Sequence, residues 1–397
     1  MRQFLRLAIR NVFRNRRRTL MTMTMVAGGV AGLLLVGGFF AFMFQGLREN
    51  TIRQGLGHLQ VYNAEFFQRD EKHVLDTGLD NYKGIMDAIQ QTPHVRGVAP
   101  RIEFYGMASN GMKSTTFMAT AVDPAAESRM GFDMFMRSGT ALTADEKSKG
   151  SVPAIIGIGL ARSMNVKPGD GLTLLAVTAD GALNGIDVDI VGTYTTGVHD
   201  LDERVVRITL LAAQRLLQSE RVTKLVVGLD KTENTDAAYT ALASRLGSGV
   251  ALRKWIDLAT YYRQVRMLFS AIFIFTGVIV FFLVVMSSAN TLLMAMFERV
   301  REIGTMLAMG TPRSWIVALF LAEGGITGVI GAAAGVLSGV LLGTALNHSG
   351  LNLPPPPSYD SPLPLKVLHV PELMIGASLV VIVVLIAASL FPAIRAA

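Results

Sequence analysis

Two stretches of this chain carry no charged side chain over a length that only a membrane accommodates. Residues 19–47 read TLMTMTMVAGGVAGLLLVGGFFAFMFQGL, and residues 267–297 read MLFSAIFIFTGVIVFFLVVMSSANTLLMAMF. Two more apolar runs follow, GGITGVIGAAAGVLSGVLLGTALN at 324–347 and LMIGASLVVIVVLIAASLFPAI at 373–394. A helix crosses the hydrocarbon core with roughly 20 residues. The runs therefore predict transmembrane helices near 20–45, 268–294, 316–345 and 372–392. Buried helices of a soluble protein are not an adequate alternative at this length. A cleaved leader is not either, because signal h-regions run about 7–15 residues. Composition agrees: charged residues make up 17%, against about 25% in soluble domains.

The placement of charge orients the spans. Residues 1–18 hold seven arginines (Arg2, Arg6, Arg10, Arg14, Arg16, Arg17 and Arg18) and no acid. The short loop 298–313 sets Arg299, Arg301 and Arg313 against Glu298 and Glu302, and Arg395 stands in the tail. Residues 48–266 are balanced, with 25 basic and 25 acidic side chains. Basic residues in short flanking segments mark the cytoplasmic side. Both termini and the loop 298–313 are thus expected in the cytoplasm. The insert 48–266 and the loop 348–371 are expected outside. The same distribution argues against nucleic acid as a partner: the basic excess of +7 flanks the membrane, where anionic headgroups attract it.

The expected organisation is an α-helical membrane domain with four transmembrane helices and a large α+β extracytoplasmic domain inserted between helices 1 and 2. Its segments are a cytoplasmic amphipathic helix at 1–18, helix 1 and the start of a stalk at 19–47, and the insert with stalk segments at 48–266. Helix 2 follows at 267–297, a cytoplasmic coupling helix and turn at 298–313, helix 3 at 314–347, a periplasmic loop at 348–371, and helix 4 at 372–394. In the first segment Arg2, Arg6, Arg10 and Arg14 recur every fourth residue opposite Phe4, Leu5, Ala8, Ile9, Val12 and Phe13, the pattern of a helix lying along a membrane surface.

Within the insert, strand-like runs stand at 58–63, 114–122, 152–158, 171–177, 187–194, 204–210 and 224–229. Helical runs stand at 82–91, 159–166, 210–219 and 235–247. Short strands alternating with helices point to mixed sheets. Residues 251–267 read as helix, since Leu252, Trp255, Ala259, Tyr262 and Val265 recur at steps of three and four. With 48–57 they form a candidate stalk. His199, Asp200, Asp202 and Glu203 in HDLDER read as a solvated acidic loop, because neighbours on a loop rarely converge on a metal. The chain has no cysteine, so thiolate chemistry is excluded. It also has no P-loop, G-x-S-x-G or H-E-x-x-H pattern. A non-enzymatic chain binding no cofactor or metal of its own is expected.

Three features stand in and beside the membrane. Through 290–310, Glu298 and Glu302 are four apart and share one face of a continuous helix, with Arg299 and Arg301 beside it and Gly304 further on. A helix so patterned suits docking into a partner's groove. The third span carries Gly331, Gly335, Gly339 and Gly343 in a G-x-x-x ladder after Gly324 and Gly328, which allows close helix packing within or between chains. Glu323 near the start of that span is a candidate coupling acid, with a structural role favoured over a proton or ion relay.

The run N-T-L-L-M…F-E-R-V-R-E-I-G-T-M-L-A-M-G-T-P-R-S-W-I from Asn290, with Phe320-Leu-Ala-Glu-Gly324, resembles the cytoplasmic loop and following helix of FtsX-like ABC-transporter permeases. The opening L-A-I-R-N-V-F-R-N from Leu7, G-H-L-Q-V-Y from Gly57 and P-A-I-R-A from Pro392 are similar to other parts of that family. Residues 152–174 and 187–203 are similar to the periplasmic domain of its lipoprotein-releasing and macrolide-exporter branch. This resemblance covers essentially the whole chain. It implies a bacterial cytoplasmic (inner) membrane permease working with a dimeric ABC ATPase that holds ATP and Mg. A second permease copy or paralogue is implied as well, and lipoprotein, a periplasmic adaptor or a chaperone are further partner classes. It maps Glu298, Arg299, Arg301, Glu302 and Gly304 to the ATPase-coupling helix. No ATPase domain stands in this sequence, so the ATPase is expected on a separate subunit. The tail is shorter than in many relatives. Pro354 to Pro357 suggest a stiff extended cap on the outer loop. Lipoprotein release or extrusion of a hydrophobic substrate is the implied activity. Activation of a cell-wall hydrolase, or a membrane-anchored receptor without ATPase, are the alternatives.

Overall fold

The computed structural model describes residues 2–14, 16–68, 75–132, 134–143, 152–354 and 362–396. It divides into a membrane unit (1–46, 264–353 and 363–397) and an insert unit (47–263 and 354–362). Helix α1 (Arg2–Arg14) buries Ala8 and Val12 and leaves Arg6 and Arg10 exposed, as the four-residue arginine step requires. Helix α2 (Arg16–Thr51) carries the first apolar run.

In the insert unit a wide turn, Ile52–Leu56, closed by Gly57 N–H donating to Ile52 O at 2.9 Å, leads from α2 into strand β1 (Leu59–Asn63). There follow α3 (Tyr82–Gln90), β2 (Val95–Ser109), β3 (Ser114–Val122), α4 (Pro124–Met130), β4 (Phe135–Gly139) and β5 (Val152–Gly157). Next come α5 (Ile158–Met164), β6 (Gly171–Val177), β7 (Leu183–Thr195), α6 (His199–Asp202), β8 (Val205–Thr209) and α7 (Leu210–Leu217). The unit closes with β9 (Lys224–Leu229), α8 (Thr235–Leu246), β10 (Val250–Lys254) and α9 (Trp255–Leu258).

The ten strands form one mixed sheet in the order β10-β1-β9-β2-β3-β8-β5-β7-β4, with β6 joined to both β2 and β7. The sheet thereby closes on itself: β2, β3, β8, β5, β7 and β6 form a ring. Strand β2 makes this possible by its length. Its first half pairs with β9, its second half pairs with β6, and β3 runs along its other edge. At Gly106 both neighbouring strands come close, since a Cβ there would clash with Leu175 O of β6 and meet Phe117 Cζ of β3 at 2.7 Å. One apolar core, including Ile102, Phe117, Ile156, Leu174, Ile190, Ile208 and Leu225, fills the space under α5 and α7.

Strands β2, β4 and β10 and helix α4 were not expected from the sequence. In β2, Gly97, Pro100 and Gly106 read as breakers, yet a register shift between Val95 and Gly97 accommodates the irregularity. The helix expected over 251–267 begins only at Trp255. Residues 250–254 are strand, with Leu252 opposite Val61. The stalk segments do pack side by side: Ile52, Trp255, Ala259 and Tyr262 form a small core with Leu47 and Leu56. Asp202 is no solvated acid either. It is buried, accepting bonds from Thr196 N–H and Thr196 Oγ1, both at 2.7 Å, and from Thr195 Oγ1. Among the described residues no three His, Asp or Glu side chains are placed to hold a metal.

Polar groups buried in the insert are paired. The Arg101 guanidinium is bidentate to Glu127 (Nε 2.7 Å, Nη2 2.9 Å) and donates Nη1 to Gly55 O, tying the wide turn to β2 and α4. Breaking such a buried pair costs about 3–5 kcal/mol. His58 is buried as a neutral ring: Nδ1 accepts from Leu229 N–H at 3.0 Å and Nε2 lies 3.2 Å from Thr232 Oγ1. Burial pushes its pKa below the ordinary value. A depressed folded value means the contribution to stability is full above the unfolded pKa of about 6.5 and falls as pH drops below it. The insert is therefore expected to melt at lower temperature near about pH 5 than near about pH 7.5. His58→Asn, which keeps an acceptor for Leu229 but does not titrate, should flatten the pH dependence. Thermal scans of the full chain at both pH values check this, and an undiminished slope in the variant contradicts it.

The membrane unit is completed by α10 (Thr260–Glu298), α11 (Val300–Ala308), α12 (Arg313–His348), a two-residue hairpin of β11 (Asn352–Leu353) and β12 (Leu363–Pro364), and α13 (Pro371–Ala396). Among the described residues, four helices are long and apolar enough to cross a membrane: Thr19–Thr51, Thr260–Glu298, Arg313–His348 and Pro371–Arg395. Each extends beyond the span read from the sequence. Helix α10 starts seven residues ahead of the boundary expected at 267. The stiff cap expected over Pro354 to Pro357 falls, for Pro355–Pro357, outside the described residues.

The glycine ladder packs within the chain. A Cβ on Gly331 would stand 3.0 Å from Val26 Cβ, one on Gly335 would stand 2.6 Å from Val30 Cβ and 2.9 Å from Ala27 O, and one on Gly339 would stand 3.3 Å from Ala31 Cα. These three receive α2. Gly343 instead receives Val367 and His369, while Gly324 and Gly328 receive Leu385, Ser389 and Ile382 of α13. Helix α12 thus has two close-contact faces, as small residues every fourth position allow in lipid.

Candidate functional site: the elbow between the second and third spans

The loop expected as one helix is an elbow. Helix α10 ends at Glu298, and Arg299, at φ −110° and ψ 9°, breaks the helical path before α11 starts. The chain leaves α11 through Gly310, at φ +89°, and Pro312 caps the entry to α12. Positive φ at Gly310 is the usual way a helix ends.

Helix α11 buries one face. Ile303, with Met306 and Leu307, packs on Met296, Ile316, Phe320 and Ala393. The other face is open: Val300, Arg301, Gly304, Thr305, Ala308 and Met309 are exposed, as is Phe297 at the end of α10. A Cβ on Gly304 would have no neighbour within 4 Å. The exposed side is therefore mostly apolar or small, with Arg301 and Glu302 as its charges.

The five residues mapped to coupling take different places. Glu298 ends α10 and Glu302 stands in α11, with the break at Arg299 between them. Both are exposed, as is Arg301. Glu302 is held by Arg14 of α1, Nη2 to Oε1 at 2.6 Å and Nη1 to Oε2 at 3.2 Å. That hydrogen bond holds the Glu302 carboxyl below its ordinary pKa. Its contribution is complete above the usual carboxylate range and is lost as pH falls through the depressed value. Both side chains are about half exposed, so the pair is worth at most about 1 kcal/mol.

Arg299 points inward. Its Nη1 donates to Glu323 Oε1 at 3.1 Å and its Nη2 to Asn11 O at 3.0 Å. Asn11 Nδ2 donates to the same Glu323 oxygen at 2.7 Å. Both charged side chains are largely buried, 13% exposed for Arg299 and 6% for Glu323. Glu323 therefore joins three segments: α1, the elbow and α12. Asn11 was missed from the sequence. The available signal was a lone amide beside the buried Ala8 and Val12 on the apolar side of an arginine-rich helix.

Two family models match the chain. The MacB-like periplasmic core domain matches residues 19–245, more than half of the chain, and the FtsX-like permease C-terminal family matches residues 267–397. The chain belongs to the FtsX-like permeases with a MacB-like periplasmic core. It is thus an ABC-transporter permease of the lipoprotein-releasing and MacB type. The lipoprotein-releasing system transmembrane protein LolE of Haemophilus influenzae is 23% identical over 329 residues, which are 81% of this chain and 76% of that protein. LolC of Neisseria meningitidis is 27% identical over 49% of this chain and 48% of its own length. The macrolide export ATP-binding/permease protein MacB of Sodalis glossinidius is 23% identical over 85% of this chain. This FtsX-like permease matches only 52% of that MacB protein's length. Among solved structures, the periplasmic region of MacB from Actinobacillus actinomycetemcomitans aligns with 53% of this chain and 94% of its own, at 13% identity and a TM-score of 0.38.

Proposed function

We propose that this chain is the non-catalytic permease subunit of an ATP-driven transporter, with both termini and α11 on the cytoplasmic face. A separate ABC ATPase dimer, holding ATP and Mg, docks on the open face of α11. A second permease, a copy or a paralogue, completes the membrane assembly. Closing of the ATPase pushes the elbow, and the spans carry the motion through the stalk segments to the insert. The cargo is a lipid-anchored protein or another hydrophobic compound. The relatives named for lipoprotein release and macrolide export support that class.

The observation that carries this reading is the build of the elbow. Helix α11 has one face seated on α12 and α13 and the other free, and the residue at its start is bonded to both α1 and α12. A push on α11 is then felt by three segments at once. The test uses Gly304, where any side chain projects into open space. Gly304→Trp should leave the permease folded and inserted while a bulky ring occupies the docking face. Retention of the co-expressed, tagged ATPase on the solubilised permease should fall about tenfold or more, the loss typical of a disrupted hot spot. Wild-type retention by a normally inserted variant contradicts the docking assignment.

A further inference from the structure

The spans change character along their length. On α2 the inward positions run Thr19 and Thr22, then Val26, Val30 and Leu34. On α12 they run Glu323 and Thr327, then Gly331, Gly335 and Gly339. On α10, Val280 and Val284 give way to Ser288 and Thr291 toward the elbow. The half away from the elbow is a dry valine–glycine seam. The half nearest it is lined by hydroxyls, the Glu298 and Glu323 carboxylates, Asn11 and Arg299, and these surround a cavity of about 60 Å³.

That cavity has an unmet demand. Ser288 is 1% exposed, and its Oγ has no hydrogen-bond partner among the described residues. A buried, unbonded hydroxyl costs on the order of 1–3 kcal/mol. Three of the threonines beside it have already committed their protons: Thr19 donates to Val12 O, Thr291 to Ser287 O and Thr327 to Glu323 O. What they turn to other groups is lone pairs, so the cavity asks for a guest that donates. A water site needs roughly 10–15 Å³ and two to four polar partners, and this one offers room for several such molecules and enough oxygens. A metal cation would also accept those lone pairs, but the Arg299 guanidinium already stands in the lining and is paired with Glu323.

We infer that a cluster of ordered water molecules fills this cavity, bonded to Ser288, Thr291, Thr327 and Glu323. Ser288 lies ten residues before the end of α10, about 15 Å along the helix at about 1.5 Å per residue, so the cluster extends from the elbow well into the span. A hydrated joint lets the elbow ends of α2, α10 and α12 shift without stranding polar groups in lipid, while the glycine seam stays rigid. This rests on the docking reading only for its purpose. The water site itself stands on the cavity.

Radiolytic footprinting of the full chain in nanodiscs tests the site directly, because hydroxyl radicals form at bound water and oxidise the side chains touching it. Leu385 lines the cavity at 1% exposed; Val381, at 6%, does not line it. Burial alone predicts more oxidation of Val381. The hydrated cavity predicts the reverse, with oxidation of Leu385 at least about fivefold the greater and taking up label from H2(18)O that was trapped before the pulse. Ser288→Val, which removes the hydroxyl and fills space, should remove most of that oxidation. If this variant fails to insert, the contrast between Leu385 and Val381 in the wild type still decides. Leu385 unoxidised overturns the inference. Anomalous density for thallium or rubidium beside Glu323 overturns it in favour of a cation. ATPase retention is not part of this readout, so failure of the docking assignment leaves the footprint result standing.

Discussion

Replacing Gly335 and Gly339 together by leucine is expected to abolish assembly of a transport-competent membrane unit while leaving insertion intact. At Gly335 α2 approaches to a distance that excludes any side chain, and at Gly339 it leaves a Cβ only tight contacts. At Gly335 even a methyl would meet a backbone oxygen, Ala27 O, at 2.9 Å, and a backbone cannot rotate away as a side chain can. At Gly339 the neighbour is Ala31 Cα at 3.3 Å, again backbone. Overpacking costs about 1–3 kcal/mol per site, and here two sites on one seam act on one helix pair. Leucine favours the membrane, so the amount inserted should not fall. Gly376→Leu on α13 is the control, since nothing lies within 4 Å of a Cβ there. Monodispersity and melting temperature of the solubilised chain are the measurements. A double variant as stable as Gly376→Leu would mean that the ladder packs against nothing that matters.

The second large effect concerns Glu323. Glu323→Ala leaves the Arg299 guanidinium largely buried without its carboxylate and removes an acceptor from Asn11. Breaking a buried pair by deleting one partner costs about 3–5 kcal/mol, whereas replacing both partners by apolar groups of similar size is often close to neutral. The expected order of stability is therefore wild type, then Glu323→Leu with Arg299→Met, then Glu323→Ala. The double variant should recover stability without recovering coupled ATPase activity, because the link from the elbow to α1 and α12 is gone. Thermal unfolding of the three proteins, with ATP turnover in their complexes, separates the two properties. Full activity in the stable double variant would show that the ion pair merely fills space.

How much of this was legible follows from the kind of signal each feature leaves. The spans were legible because twenty and more uncharged residues have no other stable home. The glycine ladder was legible as close packing, but its partner was not: the period shows on α12, while Val26, Val30 and Ala31 look like any apolar residues of α2. In the insert, strands with regular β-branched runs, such as β8 and β9, were legible. Strand β2 was not, since Gly97, Pro100 and Gly106 are breakers locally and are tolerated only through pairing with three other strands. The elbow shows the limit most clearly. Charges at steps of three and four in 298–302 read as one amphipathic face. Arg299 instead leaves the helical path because Glu323 and Asn11, distant in sequence, offer it a better-bonded position. Helix periodicity cannot carry that information.

The central claim is that nucleotide on a bound ATPase moves the insert through this elbow. The chain has no cysteine, so Leu201→Cys on the exposed edge of the insert and Met309→Cys beside α11 give a spin-label pair with no background. Pulsed electron resonance of the ATPase complex in nanodiscs should show one distance distribution without nucleotide and a displaced one with trapped ATP. Adding Gly304→Trp should hold the first distribution under both conditions. An unchanged distribution in a complex whose ATPase is bound and hydrolysing would contradict the account.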